Sequence, residues 1–380
     1  MPPKREPVAA PNGEVYTPSP VLEAVPFPSK GQDLLYLLFA PLLGTYLLLM
    51  LLHDFIKRPF EFFRSRPRRH DTCPLPPSLD GLLSRTIDVG DGVQLHAMTW
   101  GTRPGAPLVV LLHGFPECWY SWRHVLAAWR EAGHEVVAID MRGYNTSSKP
   151  EGVAAYSLDR LTEDVAAVVR ALGRSSCTLI GHDWGGAVAW ATAGRYPGLV
   201  QRLVVMAGPH WLLYKRNMTL AQACMSYYFL WFALPLLPEL LLLHTDALFF
   251  DLAFRQRQPY SARQGAVTAA DVEVYKAAWQ QPGAATAALH YYRAALGADT
   301  GAMQLLPETS RGLRRRLEMP VLVVWGEKDH ALALSNLGDV DQVAPKVQVH
   351  VIPGCSHWIQ SDAPDAVQRI LDDWLAANPV

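Results

Sequence analysis

Residues 177–186 read CTLIGHDWGG and lead into AVAWATAGRYP, a segment of helix-forming composition. A short apolar strand that passes through a glycine-framed residue into a helix has the pattern of a nucleophile elbow. Asp183 occupies the position at which that pattern usually carries serine. We therefore expect the turn to raise the Asp183 side chain above the end of a sheet, beside the positive N-terminus of the following helix.

The aspartate at this position indicates the reaction class. A serine that attacked an sp³ carbon would become an inert ether, whereas a carboxylate that attacks the same carbon becomes an ester, which water can cleave. Asp183 is therefore the candidate nucleophile for attack on a saturated carbon. The alternative interpretation is that Asp183 only caps the N-terminus of the helix.

Six apolar runs rich in Val, Leu and Ile alternate with helical patterns along the chain. Continuous apolar runs are typical of strands buried on both faces, and the intervening helices make neighbouring strands parallel. The predicted class is therefore α/β, with a mostly parallel central sheet. The runs are LVVLL at 108–112, EVVAID at 135–140, CTLIG at 177–181, RLVVM at 202–206, VLVVW at 321–325 and VQVHVI at 347–352.

Between residues 209 and 300 this strand pattern stops, and stretches rich in Leu, Ala, Tyr and Trp replace it. The change predicts a helical lid at 209–300, inserted between a first part of the core at 81–208 and a second part at 301–380. Within the lid, YYFLWFALPLLP at 227–238 is apolar for only 12 residues and contains two prolines, so no membrane span is expected there.

The first strand of the alternating pattern runs directly into HGFPE at 113–117. At this place in a sheet of this kind, a backbone N–H group completes an oxyanion hole with the N–H of the residue that follows the nucleophile. The expected donors are therefore the backbone amides of Phe115 and Trp184.

An acid and a histidine are expected to follow the nucleophile in chain order. The strand at 321–325 leads into GEKDH at 326–330, and the strand at 347–352 leads into PGCSHW at 353–358. His357 is the candidate base that activates water, and Asp329 the candidate group that orients its ring. Alone, Asp329 could be a turn former and His357 a surface group, while Glu327 and His330 are neighbouring alternatives.

The segment from Leu34 to Leu52 has no charged residue over 19 positions, close to the roughly 20 that a transmembrane α-helix needs. It is the candidate transmembrane anchor, after a tail at 1–33. A buried core helix or a cleaved signal peptide is the alternative.

Six cations follow this candidate anchor, whereas the twenty residues before it contain only Lys30. The positive-inside rule then predicts a single-pass membrane protein of the endoplasmic reticulum with its catalytic domain in the cytosol. Two glycosylation tripeptides, at Asn145 and Asn217, argue for the lumenal side instead. The cations, in a basic juxtamembrane linker at 53–80, are Lys57, Arg58, Arg64, Arg66, Arg68 and Arg69.

Composition excludes several classes of partner. The 34 Lys and Arg against 35 Asp and Glu leave a formal net charge of −1, so no nucleic-acid partner is expected. The five scattered cysteines predict neither a disulfide framework nor a metal site. The glycine-rich segments lack dinucleotide or phosphate-loop spacing, so no cofactor is predicted. The expected partners are a small-molecule substrate, water and, through 34–52, membrane lipid; the oligomeric state is left open.

Together these motifs resemble the epoxide hydrolases of the α/β-hydrolase fold, in particular the membrane-anchored animal type. The resemblance covers roughly residues 80–378 and implies that fold for the chain. It rests on HGFPE at 113–117, SWRHVL at 121–126, DMRGYNTSSKP at 140–150, GHDWGG at 181–186, SYYF at 226–229, QPGA and HYYRA within 281–294, WGEKD at 325–329 and GCSHW at 354–358.

The resemblance also implies two tyrosines from the lid that hold and protonate the epoxide oxygen. The second precedes an arginine in a YYR-like motif and carries over to Tyr292, with Tyr291 as the alternative. The first precedes a glutamine in the lid helix; that glutamine is Ala233 here, so the role carries over to Tyr228 with Tyr227 as the alternative.

The family's RGYG turn reads RGYN at 142–145, which predicts a left-handed backbone at Asn145, because Asn tolerates that conformation better than most residues.

The activity that the resemblance implies is the conversion of lipophilic epoxides to vicinal diols through an aspartyl-alkyl ester. One alternative is a haloalkane or haloacid dehalogenase, which would use the same Asp-His-Asp chemistry on a different leaving group. Another is a catalytically inactive, membrane-tethered binding protein on the same fold.

Overall fold

A computed structural model describes residues 75–256, 262–297 and 313–379, together with isolated positions between residues 8 and 57. An eight-stranded sheet in the order β8-β7-β6-β5-β3-β4-β2-β1 forms the centre of the fold. The strands are β1 (Leu83–Gly90), β2 (Val93–Thr99), β3 (Leu108–Leu112), β4 (Glu135–Ile139), β5 (Cys177–His182), β6 (Val200–Met206), β7 (Val321–Gly326) and β8 (Val347–Ile352). A two-residue ribbon pairs Val8–Ala9 with Val15–Tyr16.

Strands β3 to β8 pair in parallel with one another, which confirms the α/β class and the six predicted strands. Strands β1 and β2 form an antiparallel hairpin that packs antiparallel to β4 at one end of the sheet. The sequence analysis missed this hairpin, although Asp91-Gly92 is a strong hairpin signal. The turn residues Gly90, Asp91 and Gly92 all have positive φ, at 93°, 52° and 72°.

Burial differs along the sheet. Every residue of β3, β4, β5 and β7 is buried, as continuous apolar runs predict. The expectation was wrong for β8, in which only Ile352 is fully buried. The reason is its position, because β8 lies at an edge of the sheet and pairs only with β7.

Three helices connect the first strands of the sheet. They are α1 (Arg123–Glu131), α2 (Leu158–Ala171) and α3 (Trp184–Arg195). All residues of α3 except Arg195 are buried, because α3 lies against β5 and β6 in the centre of the molecule. The predicted nucleophile elbow therefore lies between a fully buried strand and an almost fully buried helix.

Only helices are found among the described residues between β6 and β7. They are α4 (Trp211–Arg216), α5 (Leu220–Met225), α6 (Tyr228–Ala233), α7 (Leu237–Asp251), α8 (Ala269–Trp279) and α9 (Ala284–Ala295), with a π-helical turn at Leu252–Gln256. Helix α7 is interrupted by non-helical residues from His244 to Ala247. After β7 follow α10 (Val340–Val343), α11 (Ile359–Asp362) and α12 (Pro364–Ala377).

Among the residues that the structure describes, no helix combines the length and apolar character needed to cross a membrane. Most of the predicted anchor at 34–52 and of the linker at 53–80 lies outside the described residues.

A buried carboxylate holds the loop that follows β4. Asp140 accepts hydrogen bonds from His96 Nδ1 at 2.6 Å, from the backbone N–H of Trp119 at 2.8 Å and from Asn145 Nδ2 at 2.7 Å. The φ of Asn145 is 46°, which confirms the predicted left-handed conformation. The Asn145 side chain is buried, and its amide is hydrogen-bonded to Asp140. The glycosylation tripeptide that begins at Asn145 is therefore no longer an argument for a lumenal domain.

Candidate active site

The turn between β5 and α3 presents Asp183 in a rare backbone conformation, with φ 51° and ψ −117°. Two glycines make the turn possible by close approach. A Cβ atom at Gly181 would collide with the carbonyl oxygen of Gly185, and one at Gly185 would collide with the carbonyl oxygen of Leu112. The residue predicted to be the nucleophile thus has a strained backbone conformation, as is common at active sites.

The HGFPE loop lies directly against this turn. The backbone N–H of Phe115 donates to Asp183 Oδ1 at 2.8 Å. Trp184 begins α3, so its N–H is one of the helix's first amides without an intrahelical acceptor. The structure thus places both predicted oxyanion donors beside Asp183.

His113 fixes the position of this loop. Its Nδ1 lies 2.9 Å from the carbonyl oxygen of Gly114, to which only a protonated nitrogen can donate. Its Nε2 accepts the backbone N–H of Met141 at 3.1 Å, so the ring is neutral. Burial lowers the pKa of His113, which is consistent with this single tautomer.

His357 lies between two carboxylates. Its Nε2 is 3.6 Å from Asp183 Oδ2, and its Nδ1 is 2.9 Å from Asp329 Oδ2. The other oxygen of Asp329 accepts the backbone N–H groups of Ala331 and Leu332, each at 2.8 Å. These bonds fix the carboxylate and, through it, the orientation of the imidazole.

The charges of this cluster shift its pKa values in opposite directions. Burial disfavours the charged imidazolium, but Asp329 and Asp183 outweigh burial and hold the pKa of His357 well above its usual value. Burial likewise disfavours the Asp183 carboxylate, but the contact with His357 and its positive charge hold the pKa of Asp183 below its usual value. The carboxylate and the imidazolium therefore stabilise each other.

Tyr292, on α9, lies among aromatic rings above the elbow. Its ring centroid is 5.0 Å from Phe115, 5.1 Å from Trp184, and 4.9 Å from both Phe229 and Phe232. Burial, and then the nearby Tyr228 and Asp183, raise the pKa of Tyr292 well above its usual value. The phenol therefore stays protonated in the free enzyme and can donate a proton.

Tyr228 is the first residue of α6, and its ring centroid lies 5.9 Å from that of Tyr292. Burial raises the pKa of Tyr228 well above its usual value, with contributions from Tyr214 and from the charges of Asp183 and Asp329. The structure therefore brings the two predicted tyrosines together within the electrostatic reach of Asp183.

The alternative tyrosines are placed differently. Tyr291 donates its hydroxyl to the backbone carbonyl oxygen of Arg142 at 2.8 Å, and its ring packs against Tyr144 and Tyr156. Tyr227 precedes α6, and its ring lies 6.1 Å from that of Tyr228.

The two neighbouring alternatives to Asp329 are also away from the imidazole contact. Glu327 Oε2 accepts the backbone N–H of Gly354 at 3.0 Å, at an exposed position. His330 is half-buried, and burial lowers its pKa. The His357 ring contacts Asp329 instead.

A buried polar network behind His357 was not predicted. His182 Nε2 donates to the backbone carbonyl oxygen of His357 at 3.0 Å, while its Nδ1 lies 2.8 Å from Glu117 Oε2. Gln360 Nε2 donates to Glu117 Oε1 at 3.0 Å. All three side chains are at most 1 % exposed. The available signal was the polar character of Glu117, in the loop after β3, and of His182, the last residue of the apolar strand β5.

The described residues also differ from the side-chain clusters that bind metal ions. Within the three described ranges, no three or more His, Cys, Asp or Glu side chains are arranged to hold a metal ion. Cys118, Cys177, Cys224 and Cys355 are buried. The groups that the structure places around Asp183 are carboxylates, an imidazole, phenols and backbone amides.

The chain is similar to several known proteins. The family model of the alpha/beta hydrolase fold matches residues 107–364. An AB hydrolase superfamily protein of Bacillus subtilis is 34% identical over 299 residues, which cover 78% of this chain and 99% of that protein. Epoxide hydrolase 4 of Homo sapiens is 33% identical over 334 residues, which cover 86% of this chain and 88% of that protein.

One similar solved structure is a mutant epoxide hydrolase from Bacillus megaterium, complexed with its product, a naphthyloxy-propane-1,2-diol. Its TM-score is 0.61 at 31% sequence identity, with 77% of this chain and 100% of that chain covered.

Proposed function

This chain belongs to the α/β-hydrolase family, and we propose that it is an epoxide hydrolase that converts lipophilic epoxides into vicinal diols through an alkyl ester of Asp183. The observation that carries the proposal is the position of His357 between Asp183 and Asp329, together with two adjacent phenols whose pKa values the Asp183 charge raises. The human relative and the Bacillus megaterium structure bear the same activity in their names. The core is assigned to 81–208 and 301–380, and the lid to 209–300.

In the first step, a carboxylate oxygen of Asp183 attacks a ring carbon of the epoxide, and the bond between that carbon and the ring oxygen breaks. The departing alkoxide is far more basic than a phenol, so it takes a proton from Tyr228 or Tyr292. Hydrogen bonds from both phenols polarise the ring oxygen before the bond breaks. The product is a hydroxyalkyl ester of Asp183.

Esterification changes the electrostatics of the second step. The ester carries no charge, so the upward shift that Asp183 gives to the pKa of His357 disappears. The imidazolium gives its proton to the phenolate left by the first step, and the neutral imidazole then takes a proton from water, whose hydroxide attacks the carboxyl carbon of the ester. The Phe115 and Trp184 amides hold the resulting oxyanion, and the diol leaves with the proton from His357. The Asp183 carboxylic acid that remains returns its proton to His357, which restores the starting charges.

The walls of the site favour lipophilic substrates. The space around Tyr292 is bounded by the rings of Phe115, Trp184, Phe229 and Phe232. Aromatic walls of this kind give little compensation to a polar substrate group that loses its water. We therefore assign the substrate to the class of apolar epoxides.

The membrane anchor at 34–52 and the cytosolic face of the endoplasmic reticulum remain part of the proposal. The uncharged segment and the cations after it support them. The lid adds support, because five leucines between residues 220 and 240 are exposed, although apolar side chains of this size are usually buried. They are Leu220, Leu230, Leu234, Leu236 and Leu240. Alkaline carbonate extraction followed by protease protection of microsomes tests both statements.

The activity is tested with an epoxide panel and product analysis, together with one catalytic cycle in ¹⁸O-labelled water. We expect vicinal diols, and ¹⁸O in Asp183 after the single cycle, because water attacks the carboxyl carbon. Diols formed with all ¹⁸O in the product would contradict the ester. Halide release from haloalkanes without diol formation would indicate the dehalogenase, and no turnover with correct folding would indicate the binding protein.

A further inference from the structure

Arg293 follows Tyr292 directly in α9, and its guanidinium is buried at the end of helix α6. Its Nε donates to the carbonyl oxygen of Phe232 at 3.0 Å, and its Nη2 donates to that of Leu234 at 2.7 Å. Its Nη1 and Nη2 donate to the two carboxylate oxygens of Glu239 at 2.9 and 3.2 Å. One side chain of α9 therefore binds both the C-terminal end of α6 and the start of α7.

Helix α6 needs such an attachment. It has only six residues, from Tyr228 to Ala233, far fewer than the roughly 12 to 15 at which an isolated helix becomes marginally stable. Its last carbonyl groups have no N–H donor within the helix, and a cation at this end is favoured by the helix dipole. Arg293 supplies both the donors and the charge.

The same short helix carries the residues that surround the reacting oxygen. Tyr228 is at its start, and the rings of Phe229 and Phe232 lie 4.9 Å from the ring of Tyr292. A shift of α6 relative to α9 would therefore change the distance between the two phenols. No other described hydrogen bond joins a side chain of α9 to α6.

Glu239 makes the attachment rigid. The side chains of Arg293 and Glu239 are only 9% and 14% exposed. The contact is bidentate, which fixes the plane of the guanidinium as well as its position. A lysine could keep the charge but could not donate to both carbonyl groups and both carboxylate oxygens at once.

From this geometry we infer that the Arg293–Glu239 pair is a positioning device for epoxide ring opening, which sets the spacing of Tyr228 and Tyr292 and takes no part in ester hydrolysis. The inference rests on the proposed function, because it assigns the two phenols to ring opening. The hydrolytic groups lie elsewhere, since His357 and Asp329 follow β8 and β7 in the core. Loss of the Arg293–Glu239 pair should therefore slow ester formation without slowing ester hydrolysis.

The test uses the full chain with His357→Gln, in which hydrolysis is blocked and the ester accumulates. Ester formation from an apolar epoxide is followed by intact-protein mass. With Arg293→Lys added, we expect ester formation to slow roughly 10- to 100-fold, the usual effect of misplacing a reacting group by about 1 Å. For epoxides with a trifluoromethyl group, Arg293→Lys should slow ester formation less. Their departing alkoxide is less basic, so its formation depends less on the phenols.

The matched control is Lys276→Met in the same background. Lys276 is a buried lid cation that binds Asp251 at 2.6 Å and joins α8 to α7 without contacting α6. In this variant Asp251 still has an ion pair with Arg255, at 3.4 Å, so its carboxylate keeps a cationic partner. Ester formation should keep the parent rate.

Three further measurements complete the design. In the His357 enzyme, Arg293→Lys should leave the rate of ester hydrolysis unchanged in single-turnover experiments. Circular dichroism verifies folding. If Arg293→Lys does not fold, Glu239→Gln replaces it, because glutamine keeps an acceptor oxygen for Arg293. Glu239→Gln should slow ester formation less than Arg293→Lys and should likewise leave ester hydrolysis unchanged. A folded variant that forms the ester at the parent rate, or in which both steps slow equally, overturns the inference about the Arg293–Glu239 pair alone. A parent that forms no ester overturns the proposed function as well.

Discussion

The Nε2 atom of His357 lies 3.6 Å from Oδ2 of Asp183. In the proposed mechanism, the two groups therefore act on each other twice in one catalytic cycle. Before the reaction, the Asp183 carboxylate helps to raise the pKa of His357. After ester formation that negative charge is gone, so the pKa of His357 falls and the imidazole can act as a neutral base. We propose this change in pKa as a switch between the two steps.

This coupling predicts different pH profiles for the two half-reactions. The pKa of His357 should be lower in the ester intermediate than in the free enzyme, so ester hydrolysis should rise with pH through the lower of the two values. Single-turnover rates across a pH series, compared with an NMR titration of the free enzyme, measure both. The same pKa in both states would contradict the switch.

The same ion pair predicts a pH-dependent contribution to stability. Because the pKa of His357 is raised by folding, its contribution is complete below the unfolded value of about 6.5 and is lost as pH rises through the raised value. The free energy of unfolding of the wild type relative to His357→Gln should therefore fall as the solution becomes alkaline. Urea unfolding at several pH values checks this, and a pH-independent difference would argue against the pair.

Two neighbouring tyrosines provide a matched pair of variants. Tyr292→Phe removes a proton donor and should lower the rate of ester formation roughly 10²- to 10⁴-fold, the usual contribution of general acid catalysis. Tyr291→Phe removes a hydrogen bond to Arg142 and should cost about 1 kcal/mol of stability with turnover retained. Stopped-flow kinetics and urea unfolding separate the two. Full turnover by Tyr292→Phe would instead favour dehalogenase chemistry.

Asn145 allows conformation and hydrogen bonding to be separated. Gly adopts the φ of 46° easily but loses the bond to Asp140, so Asn145→Gly should destabilise the fold by about 1 kcal/mol. Asn145→Ala also meets the left-handed strain and should cost about 1 to 2 kcal/mol more. Denaturant unfolding ranks the three proteins. A glycine variant as stable as the wild type would assign the residue to backbone conformation alone.

Much of the sheet could be read from local pattern. Runs such as LVVLL are buried on both faces wherever they pair, and six strands were located on that basis. The hairpin of β1 and β2 escaped, because its first strand is mostly exposed and carries no continuous apolar run. The limited burial of β8 escaped as well, since composition does not reveal which parallel strand lies at an edge.

The candidate site divides in the same way. Glycine spacing and chain order pointed to Asp183, Asp329 and His357, because each follows a recognisable strand. The buried partners Glu117, His182 and Gln360 gave a weaker signal, since a single polar residue does not reveal which side chains it will meet. Their association depends on the loop after β3, the end of β5 and helix α11, which lie far apart in the chain.

The amino-acid sequence by itself determined the α/β class, the strained elbow at Asp183 and the chemical identity of the groups around it, because strand burial and glycine-framed turns are properties of short segments. Only the tertiary structure decided that the Tyr292 ring lies by the elbow while the Tyr291 hydroxyl binds a distant carbonyl, and that Arg293 joins two lid helices. The physical reason is that successive residues of a helix point about 100° apart, so the packing of the whole helix selects which one faces the site.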